Sequence, residues 1–239
     1  MNRIAEVFGT SPVLLPVVHP ISREAALEAV RVVHDLGVRG VFLIDQGMSE
    51  RAVIQLARDV RDRYSKLWIG LNLLSRAPAD ALKIVLSEHC PVDGLWSDNA
   101  GIDEHRVGGS THPEAEAFNF VRRAARWDGL YFGGVAFKYQ REVAPSDLGV
   151  AAEMSLPYVD VLCTSGPGTG HAADVEKVRT LRAGLGGHAM ALASGITPEN
   201  VRSYMPYVQA FLVGTGIEQR IGVFDPSKIE ALMRAIEHG

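Results

Sequence analysis

Four side chains in this sequence combine acid–base or nucleophilic chemistry with a position at the end of an apolar run: His19, Asp45, Asp98 and Lys138. An imidazole exchanges a proton near neutral pH, and carboxylates opposite it suit proton transfer beside a carbonyl or at an anomeric centre. Lys138 has two roles open to it, a charge partner for phosphate or carboxylate, or a Schiff-base nucleophile if its apolar neighbours desolvate the amine. The charge-partner role is favoured, because nothing in the sequence indicates desolvation. We predict that these four residues are catalytic.

A divalent metal is the alternative use of the same groups. Asp45, Asp98 and His19 offer oxygen and nitrogen ligands, but their spacing matches no metal-binding motif. The sequence therefore predicts no cofactor, and a metal held by these three residues stays an alternative.

Two glycine-containing turns that follow the last two apolar runs give the sharpest local signal. Residues 194–200 read Ser-Gly-Ile-Thr-Pro-Glu-Asn, and residues 214–216 read Gly-Thr-Gly. Glycines let backbone N–H groups approach an anion closely, and a short helix beginning near Gly216 would direct further donors to the same point. The alternative is that the glycines only turn the chain and that Thr-Pro-Glu is an ordinary helix start. The residues predicted here to bind phosphate are Ser194, Gly195, Gly214 and Thr215.

A third glycine-rich turn, residues 164–171, reads Thr-Ser-Gly-Pro-Gly-Thr-Gly-His. Its donors could hold a second anion or cover the first, so Ser165 and Gly166 are added to the predicted phosphate-binding set. Gly-Pro-Gly is equally typical of a plain loop. Asn72 and Asn99, which also stand at the ends of apolar runs, are predicted to bind the substrate.

The elements that must position these residues alternate regularly between short apolar runs and longer stretches of helical period. The predicted strands are residues 13–19, 40–45, 67–73, 94–97, 130–137, 159–163, 189–193 and 210–213. The predicted helices begin with one capped by Ser22 and one capped by Ser49, and continue with residues 79–89, 113–127, 145–154, 173–185, 198–204 and 226–237.

Near-continuous apolar strands are typical of a parallel sheet that helices cover on both faces. Eight evenly spaced units in 239 residues, with no G-x-G-x-x-G after the first strand, favour a single (β/α)8 TIM barrel over an open doubly wound sheet. We expect residues 1–239 to form one domain. In this fold the strand ends meet at one face, so the polar residues at the ends of the apolar runs would converge there. The glycine-containing loop at residues 98–112 is a candidate lid at that face.

Composition excludes several classes of protein. The net charge is -4 and Lys and Arg form no run, which argues against nucleic-acid binding. No apolar run reaches the roughly 18 residues of a membrane-spanning helix. Cys90 and Cys163 match no metal spacing, which favours a reduced, cytoplasmic location. A homo-oligomer is left open.

The residues at the strand ends also carry a family resemblance. The apolar first run ending in His19, Lys138, the turn at residues 164–170, the segment 194–201 and the segment 211–215 together resemble the BtpA family. The resemblance implies a barrel of the ribulose-phosphate-binding superfamily with a phosphate site. In this chain Pro20 leads at once into a helix, and residues 134–139 lack the family's aspartate and histidine around the lysine.

Two functional hypotheses follow. The first is an isomerase- or lyase-type enzyme that binds a phosphorylated sugar or nucleotide-like molecule at the barrel mouth and uses acid–base chemistry. The second, which the resemblance implies, is a non-catalytic assembly or regulatory protein of the kind linked to photosystem biogenesis in photosynthetic relatives.

Overall fold

A computed structural model describes residues 2–106 and 111–238, and in it eight parallel strands close into a barrel in chain order. The strands are β1 (Val13–Val18), β2 (Gly40–Ile44), β3 (Trp68–Asn72), β4 (Gly94–Ser97), β5 (Leu130–Gly134), β6 (Val161–Ser165), β7 (Ala189–Ala193) and β8 (Ala210–Val213). The ring closes where β8 pairs with β1, Ala210 opposite Val13. The predicted (β/α)8 barrel is confirmed.

Helices surround the barrel. They are α1 (Arg3–Phe8), α2 (Arg23–Asp35), α3 (Glu50–Arg63), α4 (Pro78–Ser87), α5 (Pro113–Ala124), α6 (Leu148–Ser155), α7 (Val175–Gly184) and α8 (Pro226–Glu237). Ser22 and Ser49 cap α2 and α3 as predicted, each hydroxyl accepting a backbone N–H of the first turn. Within residues 2–106 and 111–238, no helix has the length and apolar character needed to cross a membrane.

Three predicted elements are wrong. The strand predicted to reach Phe137 ends at Gly134, since the backbone turns at Ala136 with φ 49°. Residues 198–204 form no α-helix but contain one 3₁₀ turn, Val201–Ser203. The short helix expected near Gly216 is likewise a single 3₁₀ turn, Thr215–Ile217, and it leads into a hairpin of β9 (Glu218–Arg220) and β10 (Val223–Phe224).

The barrel interior is filled unevenly. The β2 to β5 side contributes large aromatic residues, and the ring of Phe42 lies edge-on to Trp68, Trp96 and Phe132 with centroids 5.1–5.6 Å away. The β7 and β8 side contributes mainly small residues, among them Ala193. Helix α1 closes the lower end, where Phe8 packs on Trp68.

A repeated contact fixes the lower, N-terminal face, and we call it the strand-start clamp. Asp93, just before β4, accepts the N–H of Ile69 in β3 at 2.7 Å and is paired with Arg61 of α3 at 2.5 Å. Asp160 joins Tyr131 of β5 at 2.8 Å and Arg122 of α5 at 2.7 Å. The third clamp uses an amide, because Gln209 bonds both Met190 of β7 and Arg182 of α7 at 3.0 Å. Each clamp ties one helix to two neighbouring strands.

The candidate lid lies only partly within the described residues. Residues 107–110, which include Gly108 and Gly109, are outside them. In the described part, Glu104 is buried and accepts two hydrogen bonds from the Arg141 guanidinium. This pair links the loop after β4 to the loop after β5.

Candidate functional site

A small cavity opens at the mouth, by which we mean the C-terminal ends of the barrel strands. Six of the predicted site residues line it: His19, Asp98, Lys138, Ser194, Gly214 and Thr215. Its apolar lining comes from Val17, Ile44, Leu74, Trp96, Ala193 and Leu212. Thr169 and Gly170 of the loop after β6 also reach it, and its volume is about 60 Å³.

His19, directly after β1, is oriented by a residue that the sequence did not reveal. Its Nδ1 lies 2.9 Å from Oε1 of Glu218, whose side chain is 3% exposed and also accepts the N–H of Gly222 at 3.0 Å. With the proton on Nδ1, the imidazole keeps Nε2 as its free basic nitrogen. The imidazole packs so closely on Gly214 that a side chain does not fit there, because a Cβ would lie 2.4 Å from His19 Cε1.

Asp98, directly after β4, is a half-buried carboxyl beside an amide. Nδ2 of Asn72 donates to its Oδ1 at 3.1 Å. Burial raises the pKa of Asp98 above its ordinary value, and the Asn72 hydrogen bond and the positive charge of Lys138 offset part of that rise. The carboxyl therefore holds its proton to a higher pH than a surface aspartate does.

Lys138 reaches the mouth from the loop after β5. Its Nζ donates to the hydroxyls of Ser194 at 3.0 Å and Thr169 at 3.1 Å. Among the described residues no carboxylate oxygen lies within 4.0 Å of this amine. An ammonium group that faces only neutral oxygens is suited to receive an anion.

The backbone around Lys138 is held in an uncommon conformation. Ala136, Tyr139 and Ser194 have φ of 49°, 60° and 71°, in the left-handed region that residues with a Cβ rarely adopt. The buried amine of Lys177 braces this turn through the carbonyls of Ala136 at 2.5 Å and Ser165 at 2.8 Å. Such strain persists only where the surrounding structure imposes it, and it is concentrated at functional sites.

The turns after β7 and β8 present backbone donors. Within the part of the chain that the structure describes, the N–H groups of Gly195, Gly214 and Thr215 have no hydrogen-bond acceptor. Asn200 shapes the first turn, since its side chain accepts the N–H of Thr197 at 2.9 Å and donates to the carbonyl of Gly195 at 2.7 Å. The two turns can therefore supply N–H groups to an anion.

Gly195 and Gly166 have a packing role beside any role in binding. A Cβ on Gly195 would lie 2.2 Å from the backbone N of Ala172, and one on Gly166 would lie 2.1 Å from the carbonyl oxygen of His171. Both glycines therefore let the loop after β6 pack against its neighbours at the mouth.

Gly166 and Gly195 lie outside the cavity lining, and so do the remaining predicted residues. The Asp45 carboxylate accepts the N–H of Leu74 at 2.8 Å, and exposed Asn99 accepts that of Gly101 at 2.8 Å. Asn72 contacts the cavity-lining Asp98 through its side-chain amide. Ser165 is fully buried, and its hydroxyl accepts the N–H of Lys138 at 2.8 Å.

The structure does not bring Asp45, Asp98 and His19 together as the alternative metal site. In the described ranges, only Glu104, His105 and Asp147 bring three ligand atoms within 4.8 Å of one another. Glu104 is already paired with Arg141.

Comparison with known proteins finds likeness in structure. No family model and no curated protein sequence matches the chain. Phosphoribosyl anthranilate isomerase from Thermus thermophilus superposes with a TM-score of 0.65 at 17% identity, over 94% of this chain and 98% of that one. A native KDPGal structure gives 0.65 at 16% identity, over 94% of both chains. A protein from Aquifex aeolicus VF5 gives 0.64 at 14%, over 99% of this chain and 97% of that one.

The first two neighbours are TIM barrels of the ribulose-phosphate-binding superfamily. At these identities the likeness establishes the fold of this chain.

Proposed function

We propose that the mouth binds a phosphorylated sugar or a nucleotide-like molecule and acts on it as an isomerase or lyase through acid–base chemistry. One observation carries the proposal. Among the described residues, a histidine, a carboxyl with a raised pKa and a lysine without a counter-ion surround one cavity, beside two turns whose N–H groups have no acceptor. Packing alone would not require this combination.

The phosphate is assigned to the turns after β7 and β8. Gly195, Gly214 and Thr215 would donate their backbone N–H groups, and the hydroxyl of Ser194 and the amine of Lys138 would complete the shell. The contact between Lys138 and Ser194 supports a charge-pairing role for the lysine over a Schiff base. The structural neighbours, one of them an isomerase that by its name takes a phosphoribosyl compound, support this choice of ligand.

The proton transfers are assigned to His19 and Asp98. Nε2 of His19 would remove a proton from the carbon beside a carbonyl, or from a hydroxyl in a carbon–carbon cleavage. Asp98 would donate a proton to the carbonyl oxygen as negative charge develops there. Glu218 stabilises the imidazolium that forms on His19. Asp45 and Asn99 have structural contacts of their own, so we assign them no step.

Access to the site requires movement of the loop after β6. The cavity of about 60 Å³ is far smaller than the roughly 300 Å³ of common ligand pockets. Thr169 holds the loop over it through Lys138 and through the Tyr139 hydroxyl, which accepts the Thr169 N–H at 3.2 Å. We propose that ligand phosphate displaces Thr169 from Lys138 on entry.

Membership of the BtpA family, with an assembly or regulatory role, is the second candidate. The motif resemblance and an apolar rim favour it: Ile21, Leu74 and Ile221, on loops beside the mouth, are 56%, 44% and 67% exposed. A stable protein partner without turnover of any phosphorylated compound would support this reading.

The first experiment is thermal unfolding against inorganic phosphate, glycerol phosphate and pentose phosphates, since a ligand that binds only the folded state raises the midpoint. Thr215→Glu places a negative charge at the phosphate turn and should abolish the shift, while Gln55→Glu, on the exposed face of α3, controls for net charge. Ligands that bind are then incubated in D2O. We expect deuterium to enter the carbon beside the carbonyl with the wild type and not with His19→Asn. Absence of any midpoint shift would refute the proposal.

A further inference from the structure

Trp96 carries a buried donor that has no partner among the described residues. It lies in β4, is 7% exposed, and lines the mouth cavity together with Asp98 and Lys138. Its Nε1 is fully buried and has no hydrogen-bond acceptor in the described ranges. The indole instead packs edge-on against Phe42 and Phe137, with ring centroids 5.6 and 5.8 Å away. An unpaired buried N–H costs about 1–3 kcal/mol, so each case requires an explanation.

The position of β4 in the ring gives that explanation. In a closed ring of eight strands in chain order, β4 lies directly opposite β8. A ligand whose phosphate rests on the turns after β7 and β8 extends across the mouth toward β4. The lining on the phosphate side is small or aliphatic, Ala193 and Leu212, whereas the indole and the Asp98 carboxyl meet the far end.

We infer that ligand entry, which enlarges the cavity, uncovers the indole N–H of Trp96, and that this N–H then donates a hydrogen bond to a hydroxyl or carbonyl oxygen of the substrate, at the end remote from the phosphate. This inference rests on the proposed function and narrows it to sugar phosphates long enough to cross the mouth. Inorganic phosphate alone would not reach Trp96.

The test follows the indole N–H directly. In the full chain labelled with ¹⁵N-tryptophan, the three indole signals come from Trp68, Trp96 and Trp127, and the Trp96→Phe variant identifies one of them. Ribose 5-phosphate and ribulose 5-phosphate should shift the Trp96 proton downfield. Inorganic phosphate should leave it in place, and the signal of Trp127, outside the barrel after α5, serves as the control.

Affinity supplies the second readout. Trp96→Phe keeps an aromatic ring but removes the donor, so pentose phosphate binding should weaken roughly fivefold to tenfold while inorganic phosphate binding is unchanged. Trp127→Phe should alter neither. If pentose phosphates bind but the wild-type Trp96 signal stays fixed, the inference is overturned and the proposed function stands. If no phosphorylated compound binds the wild type, the proposed function itself fails.

Discussion

The two faces of the barrel differ in whether their side-chain contacts repeat. On the lower face the same strand-start clamp recurs, with Arg61, Arg122 and Arg182 in equivalent places. At the mouth the polar groups vary from strand to strand: His19 follows β1, Asp98 follows β4 and Ser194 follows β7. In the three clamped strand pairs an N–H near the start of the first strand, that of Ile69, Tyr131 or Met190, takes a side-chain acceptor, so one solution serves repeatedly. An asymmetric ligand instead requires different groups from different strands.

Charge pairing separates the faces as well. Arg61 and Arg122 each have a carboxylate within 2.7 Å, while the amines of Lys138 and Lys177 have hydroxyl and carbonyl oxygens as their partners within the described ranges. An uncompensated cation costs stability in a folded chain and is useful where an anion is to arrive. We therefore expect substitutions on the lower face to change the free energy of unfolding and substitutions at the mouth to change ligand binding.

The largest effect is expected from Asp160→Ala on the lower face. The change removes the carboxylate beside the Arg122 guanidinium, which is 18% exposed and keeps the carbonyls of Trp127 and Gly129, and it leaves the Tyr131 N–H without its acceptor. The free energy of unfolding in urea should fall by about 3 kcal/mol. Asp35→Ala, which breaks an exposed pair with Arg31, should cost less than about 0.5 kcal/mol. Equal losses in the two variants would remove the distinction between clamp and surface pair.

Lys138→Met should have the opposite effect to Asp160→Ala, with weaker ligand binding and nearly unchanged stability. Loss of a charged donor to phosphate should weaken inorganic phosphate binding roughly 10- to 100-fold by calorimetric titration. The free energy of unfolding should change by less than about 1 kcal/mol, because the amine has no counter-ion to lose. Lys83→Met on α4, a lysine paired with Asp80, is the control and should leave binding intact. Unchanged affinity in Lys138→Met would mean that phosphate binds elsewhere.

Lys177 gives a smaller effect that depends on pH. Burial lowers its pKa from 10.5 to about 8, so between these values the unfolded chain binds a proton that the folded chain has released. Stability from this group is therefore lost as pH falls through 8 and fully present above 10.5. The free energy of unfolding of the wild type minus that of Lys177→Met should increase as the pH rises from about 8 to 10.5. Parallel pH profiles would contradict the assignment.

The smallest effect is expected from Gln209→Glu, which would give the third clamp the carboxylate of the others. Burial lowers the pKa of Arg182 below its ordinary value, as expected for a cation that has no counter-ion in the described part of the chain. The free energy of unfolding in urea should rise by about 0.5–1 kcal/mol in this variant. The rise should vanish when Arg182→Gln is added. A loss of stability would show that the amide geometry matters more than charge.

Most of the barrel followed from the sequence because its signals are local. The apolar runs of β4, β7 and β8 were bounded to the residue. The run after Leu130 was extended too far because Val135 and Phe137 are buried as a strand would bury them, yet lie in a turn. The helix expected after β7 failed because Asn200 bonds back to its own turn.

The mouth was foreseen only in part. Strand ends bring His19, Asp98 and Lys138 to one cavity, which the barrel topology predicts. Their partners could not be predicted, since Glu218 lies 199 residues from His19 and the segment that holds it carries no motif. Lys177 and Trp96 looked like ordinary helix and strand residues.

The clamps also bear on the order in which the chain assembles. Their arginine and acceptor are separated by 32, 38 and 27 residues, whereas the bond that orients His19 spans 199. Contacts between near neighbours in sequence form early, because closing a short loop costs less entropy. We expect each clamped strand pair to be structured before β1 meets β8, so that the mouth is the last part of the molecule to form.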